Sequence, residues 1–168
     1  MDKSNIKLIV SDVDGTLLNA SHQLNPRFFD IFEQLDAAGI TFVVASGRQY
    51  HNLRKLFERI ENRIIFAAEN GSYIMHRGKE MLAKTISAGD IHDLVNIGRK
   101  IPTSELVLCG KNSAYVESAD QQFINHLSLY FEKFEIVDDL LSVNDDILKF
   151  TVCDLSGTEA NSYPTGSR

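Results

Sequence analysis

Short apolar runs alternate with amphipathic stretches over the first half of this chain. Ile6 to Val10 is rich in Ile, Leu and Val and gives out before Gly15, the pattern of a buried strand. Asn25-Pro26 then offers an N-cap and a proline at the first helical position. Phe28, Phe29, Ile31, Phe32, Leu35 and Ala38 fall on one helical face, and Gly39 ends it. Thr41 to Ala45 is a second strand, Tyr50 to Ile60 a second helix with Leu53, Leu56, Phe57 and Ile60 inward, and Ile64 to Ala68 a third strand. Strand, helix, strand, helix, strand in this order predicts a parallel sheet. The pair Phe28-Phe29 belongs to its core.

The second half reads differently. Tyr73 to His76 and Glu80 to Lys84 flank Arg77-Gly78-Lys79, a hairpin leading out of the core. A helix opens at Gly89-Asp90 and runs through Ile91, Leu94, Val95 and Ile97 to Gly98. Strands are expected at Leu106 to Cys109, Ala114 to Glu117 and Ile147 to Cys153, and a helix over Ala119 to Phe134. The tail from Asp154 to Arg168 is rich in Ser, Gly, Thr and Asn and reads as flexible.

Candidate chemistry collects at the ends of the first three strands, where open α/β sheets bind ligands. Asp12 and Asp14 follow the first. As the chain leaves the strand both carboxylates can turn toward one cation, and Gly15 lets the backbone bend close to an anion. Asp12 suits a nucleophile that takes up a phosphoryl group, and Asp14 a general acid and base. A carboxylate attacking a phosphate dianion needs a cation between them. Oxygen ligands favour Mg²⁺, held by the Asp12 side chain and the Asp14 carbonyl. Ser46-Gly47-Arg48 follows the second strand: Ser46 can offer its hydroxyl and Gly47 its amide to a phosphate oxygen, unless Ser46 is a plain helix cap. Glu69-Asn70-Gly71 follows the third, with Asn70 at the rim of the same site or a turn residue.

Taken together, Ser11-Asp12-Val13-Asp14-Gly15-Thr16-Leu17-Leu18, Val43-Val44-Ala45-Ser46-Gly47-Arg48 and Glu69-Asn70-Gly71 resemble the motifs of the haloacid dehalogenase (HAD) superfamily, and within it the Cof-type sugar-phosphate phosphatases of cap class IIB. The resemblance implies Asp12 as nucleophile and magnesium ligand, Asp14 as acid/base and carbonyl ligand, and Gly15, Thr16, Ser46 and Gly47 as phosphate binders. It places Arg48 and Asn70 on the substrate side. It implies an α/β fold: a Rossmann-like core with an incomplete parallel sheet over residues 1–82, then part of an α+β cap over 83–153, then the tail 154–168. The family's third-motif lysine and fourth motif, Gly-Asp followed by another Asp, have no counterpart after Cys153, so the chain is expected to stop before them and to bind Mg²⁺ weakly. In the resembled fold the first strand is central. Here it is expected at the sheet edge, where it would pair with a second copy.

Composition narrows the classes. At 43% hydrophobic content, 168 residues can bury a sizeable core. A net charge of −6 with 17 scattered Lys and Arg argues against nucleic-acid or membrane surfaces, though not against a small phosphorylated metabolite. Cys109 and Cys153 form neither a disulfide framework nor a zinc spacing and suit a reducing compartment. With no leader and no apolar run near ~20 residues, a cytoplasmic location is expected. Gly89-Asp90 is expected to be helix capping, Asn144-Asp145-Asp146 a solvated turn, Lys149 a cap-domain residue, and most of the five histidines, which lack metal-ligand spacing, surface or rim groups. The expected function is Mg²⁺-dependent phosphomonoester hydrolysis through an aspartyl-phosphate, on a substrate such as a sugar phosphate. The alternatives are a folded fragment without turnover and a sugar phosphomutase.

Overall fold

The structure, a computed structural model, describes residues 6–154, and two compact units divide between Ala83 and Lys84. The first unit is one five-stranded sheet with two helices. Strands β1 (Leu8–Asp12), β2 (Thr41–Ala45) and β3 (Ile65–Ala68) are parallel and adjacent, with helix α1 (Arg27–Ala37) and helix α2 (Tyr50–Leu56) in the crossovers. The Asn25 side chain accepts the Arg27 N–H at 3.0 Å, and Pro26 already has helical φ −55° and ψ −29°, so the expected start of α1 holds to within a residue.

Register decides which face is covered. Ile9 pairs with Phe42 and Ser11 with Val44, and Val44 pairs with Phe66. Phe28 of α1 meets Phe42 at 5.5 Å and Phe57 at 5.7 Å between ring centroids, while Phe57 reaches Phe66 at 6.5 Å. These edge-on rings and the buried Phe32 form the core of this unit, and truncating Phe32 to Ala would cost about 3–5 kcal/mol. β1 lies at the sheet edge with Leu8 and Val10 on its other face, 53% and 57% exposed.

Two expectations about the first unit need correction. The second helix ends at Leu56, because Phe57 leaves helical geometry (φ −112°, ψ 23°) to bury its ring, and Glu58–Ile60 is a separate 3₁₀ turn. The hairpin does not leave the core. Strands β4 (Tyr73–His76) and β5 (Lys79–Ala83) continue the same sheet antiparallel beside β3, joined by Arg77 and Gly78 at φ 52° and 70°, as a type I′ turn requires.

In the second unit, strands β6 (Glu105–Gly110), β7 (Ala114–Val116), β8 (Phe134–Ile136) and β9 (Ile147–Cys153) form a sheet of order β8-β7-β6-β9. Alternation along β6 serves two cores. Leu106 and Leu108 pack with Val95 of helix α3 (Ala88–Gly98), and Val107 and Cys109 pack with Phe123 and Leu127 of helix α4 (Gln121–Leu127). Gly89-Asp90 is indeed capping: Ser87 accepts the Asp90 N–H at 3.2 Å and donates its hydroxyl to the Asp90 carboxylate at 2.7 Å. Lys149 lies on β9 with its ammonium 5.5 Å from the centre of the Phe131 ring.

The helix expected over Ala119 to Phe134 is shorter, ending at Leu127. Ser128 bonds back to the Ile124 carbonyl at 2.8 Å, Leu129 N–H goes to His126 O, and Phe134 enters β8 beside β7. Pairing with β7 overrides an apolar spacing that also fits a helix. Asp145 is no mere solvated turn residue. Its carboxylate accepts from the Asn112 N–H and side chain at 2.9 Å each and from the Tyr115 hydroxyl at 3.0 Å, and a Cβ on Gly110 would lie 2.1 Å from it. Cys109 and Cys153 form no disulfide, the first buried and the second partly so. Asp154, expected to open a polar tail, is buried, and 155–168 lie outside the described residues. No described helix is long and apolar enough to cross a membrane.

Candidate active site

Parallel register sets the three motif ends side by side: Asp12 lies opposite Ala45, and Ala45 opposite Ala67. Between the two aspartates Val13 is fully buried, and its carbonyl accepts the N–H groups of Thr16, Leu17 and Leu18 at 3.3, 2.9 and 2.9 Å. This plug anchors the turn and leaves Asp12 and Asp14 exposed on either side of it. Gly15 adopts φ 72° as the chain reverses. Thr16, expected among the phosphate binders, gives its amide to the Val13 carbonyl.

The Asp14 carboxylate is taken up by Arg48. It receives a two-pronged hydrogen bond from Arg48, Nε to Oδ2 at 2.9 Å and Nη2 to Oδ1 at 2.7 Å. Arg48 also donates from Nη1 to Asn52 Oδ1 at 2.9 Å, and Nη2 lies 3.2 Å from His22 Nδ1. Arg48, expected on the substrate side, is 5% exposed, with its guanidinium turned to Asp14, Asn52 and His22. This guanidinium holds the Asp14 carboxyl below its ordinary value of 3.8, against the opposing effect of burial.

Ser46 is buried, and its hydroxyl oxygen accepts the Arg48 N–H at 3.1 Å; helix α2 starts later, after Gln49, so Ser46 is not its cap. An oxygen that accepts in this way keeps its own proton to donate. Ser46 N–H goes to Ala67 O at 3.0 Å, Asn70 N–H to Ser46 O at 3.0 Å, and Glu69 N–H to Arg48 O at 3.1 Å. Glu69 and Asn70 are both left-handed, φ 51° and 59°, and such strain concentrates at ligand sites. Gly47 permits this lacing, since a Cβ there would stand 2.7 Å from Asn70 Oδ1.

The expected residues thus lie at neighbouring strand ends: Asp14 is joined to Arg48, Arg48 through its N–H to Ser46, and Ser46 through its carbonyl to Asn70, while Asp12 stands exposed beside them. Sequence reading missed Asn52 and His22. Asn52 has a signal, standing one helical turn after Arg48 (i, i+4); His22 has none. The hard oxygen donors suit a dication that keeps several waters: the exposed Asp12 carboxylate and, with the Asp14 side chain occupied, the Asp14 carbonyl. Among the described residues no three or more His, Cys, Asp or Glu are grouped to hold a metal.

The frame of this site is an open α/β sheet with two aspartates where its first strand ends. Residues 9–162 match the haloacid dehalogenase-like hydrolase family, and the chain belongs to it. It is 37% identical over 147 residues to the 5-amino-6-(5-phospho-D-ribitylamino)uracil phosphatase YbjI of Escherichia coli, a match covering 86% of this chain and 54% of that protein. Among solved structures it is similar to SMU.1108c of Streptococcus mutans, with TM-score 0.84, 28% identity, and 92% and 59% of the two chains covered. It also shares the fold of the subclass IIB sugar phosphatase BT4131, with TM-score 0.70, 19% identity, and 87% and 58% covered. The chain spans little more than half the length of each of these proteins.

Proposed function

We propose that this chain carries the nucleophile-bearing site of a Mg²⁺-dependent phosphomonoester hydrolase acting on a small phosphorylated metabolite. The observation that carries this is the parallel register placing Asp12 beside the Ser46 loop, with Asp14 steered by buried Arg48. In the first step an Asp12 oxygen attacks phosphorus, the bond from phosphorus to the alcohol oxygen breaks, and that oxygen takes the proton of a protonated Asp14, which becomes the carboxylate. In the second, Asp14 takes a proton from water, the hydroxyl attacks phosphorus, and inorganic phosphate leaves while Asp12 is regenerated. Ser46 and Gly47 offset charge on the transferring oxygens. Asp12 and the Asp14 carbonyl would hold Mg²⁺, which when bound lessens repulsion between carboxylate and phosphate. Paired with Arg48, Asp14 is in its base form and suits the second step. Protonating a poor leaving group requires the pair to loosen. The E. coli relative acts on a ribityl phosphate, which supports a phosphorylated sugar or polyol as substrate.

A second reading, a folded chain without turnover, draws support from the same pair, because an Asp14 locked on Arg48 cannot deliver a proton. The test is hydrolysis of p-nitrophenyl phosphate, whose leaving group needs no proton, in Mg²⁺ and in EDTA. Expected are Mg²⁺-dependent release of nitrophenol and its loss to background in Asp12→Asn, with an unchanged melting curve. An undiminished rate in that variant would remove Asp12 from the mechanism, and no rate in the parent chain favours the second reading.

A further inference from the structure

Arg48 is gripped from two sides. One edge of its guanidinium, Nε and Nη2, meets the Asp14 carboxylate at 2.9 and 2.7 Å, and on the other edge Nη1 donates to Asn52 Oδ1 at 2.9 Å. The two partners differ in kind. The Asp14 side chain is 40% exposed on the turn after β1, whereas Asn52 is buried in α2 beside the fully buried Leu53. The contact at Nη1 therefore ties the guanidinium to a packed helix and fixes the tilt that the Asp14 pair leaves open. In this relay α2 sets Asn52, Asn52 sets the plane of Arg48, and Arg48 sets where Asp14 stands.

The main chain of Arg48 is held separately. Its N–H donates to Ser46 Oγ at 3.1 Å and its carbonyl accepts the Glu69 N–H at 3.1 Å. Removing the Asn52 side chain would leave the Ser46 loop in place and free the guanidinium alone. The two chemical steps feel that freedom differently. In the second, water oxygen bonds phosphorus and gives a proton to Asp14, while the bond from phosphorus to the Asp12 oxygen breaks and its electron pair returns to the Asp12 carboxylate. This transfer needs the Asp14 carboxylate within hydrogen-bond reach of one water, so an Asp14 that swings with Arg48 meets the geometry less often. The first step on p-nitrophenyl phosphate asks no proton of Asp14, because nitrophenolate leaves without one.

We propose that Asn52 is a positioning residue for the second step, holding Arg48 so that Asp14 stands ready to take the proton from water. The proposal rests on the phosphatase reading above. The parent chain and Asn52→Leu are mixed with saturating p-nitrophenyl phosphate in Mg²⁺ and quenched in acid at steady state, and intact mass counts the chains that carry a phosphoryl group on Asp12. Asn52→Ala is the second variant, used in the same way if the leucine does not fit. The ratio of phosphorylated to unphosphorylated chain reports the first-step rate over the second-step rate, and it is expected to rise about tenfold in the variants, the value of one positioning hydrogen bond. General damage to the site slows both steps and leaves this ratio where it was. An unchanged or lower ratio, whatever happens to the overall rate, would mean that Asn52 acts on both steps alike or on neither, and overturns the proposal. A parent chain that releases no nitrophenol overturns the phosphatase reading, and this inference with it.

Discussion

At the scale of single residues, Arg48 has the largest consequences. Its planar fork fits the Asp14 carboxylate in a way that a lysine ammonium cannot match, so Arg48→Lys is not conservative here. Arg48→Met is expected to lower stability by about 1–2 kcal/mol in urea, since Asn52 loses a buried partner while Asp14 can turn to water. The pH dependence has a definite sign. The folded Asp14 carboxyl titrates below its ordinary 3.8, so the pair stabilises the fold above that value and the contribution fades as pH falls through the lowered one. The difference between the parent chain and Arg48→Met in melting curves should therefore narrow at acid pH to the part that Asn52 contributes and widen toward neutrality; a difference constant with pH would show that the Asp14 pair adds nothing. That Asp12, Asp14, Ser46 and Gly47 stand at or just beyond strand ends was legible from sequence, because strand ends in a parallel sheet are fixed by short-range patterns. The role of Arg48 was not. A cation beside a phosphate site reads as a substrate contact, and its capture by a carboxylate 34 positions earlier is a long-range fact.

At the scale of elements, the same division holds. Ile147 to Cys153 was legible in full because a bounded apolar strand leaves little choice, whereas Phe123, Leu127, Phe131 and Phe134 fit a continuing helix as well as a helix, a turn and a strand. Pairing of β8 with β7 decided between them. Asp145 is the feature of the second unit that no local pattern discloses. It ties the turn between β6 and β7 to the entry of β9, over a side chain-free Gly110. Asp145→Ala should cost about 2–3 kcal/mol by leaving Asn112 and Tyr115 without their acceptor. Gly110→Ala should cost a similar amount by expelling the same carboxylate. The double variant should lose much less than the sum, and strict additivity in urea denaturation would refute this coupling.

At the scale of the whole molecule, the edge position of β1 stands out. Ile6, Leu8 and Val10 are 55%, 53% and 57% exposed along a strand whose outer edge has no neighbour among the described strands. Such an edge invites pairing with a second copy. Sedimentation is expected to show concentration-dependent association that Leu8→Lys with Val10→Lys abolishes; a monomer at all concentrations would show that this edge is inert. The two cysteines of the second unit carry a different consequence. Both lie on the β6 and β9 pair, Cys109 opposite Lys149 and Cys153 opposite Glu105, and burial raises the Cys153 thiol above its ordinary value. A thiol is alkylated as its thiolate, so Cys153 reacts more slowly than an ordinary thiol, while Cys109 is shielded by burial. Cys109 must wait for β6 and β9 to part before it reacts, whereas Cys153, partly exposed at the end of β9, needs only fraying there. The unit therefore contains its own stopwatch: the rate at which a small alkylating reagent marks Cys109 relative to Cys153 separates fraying of the strand ends from opening of the whole ladder.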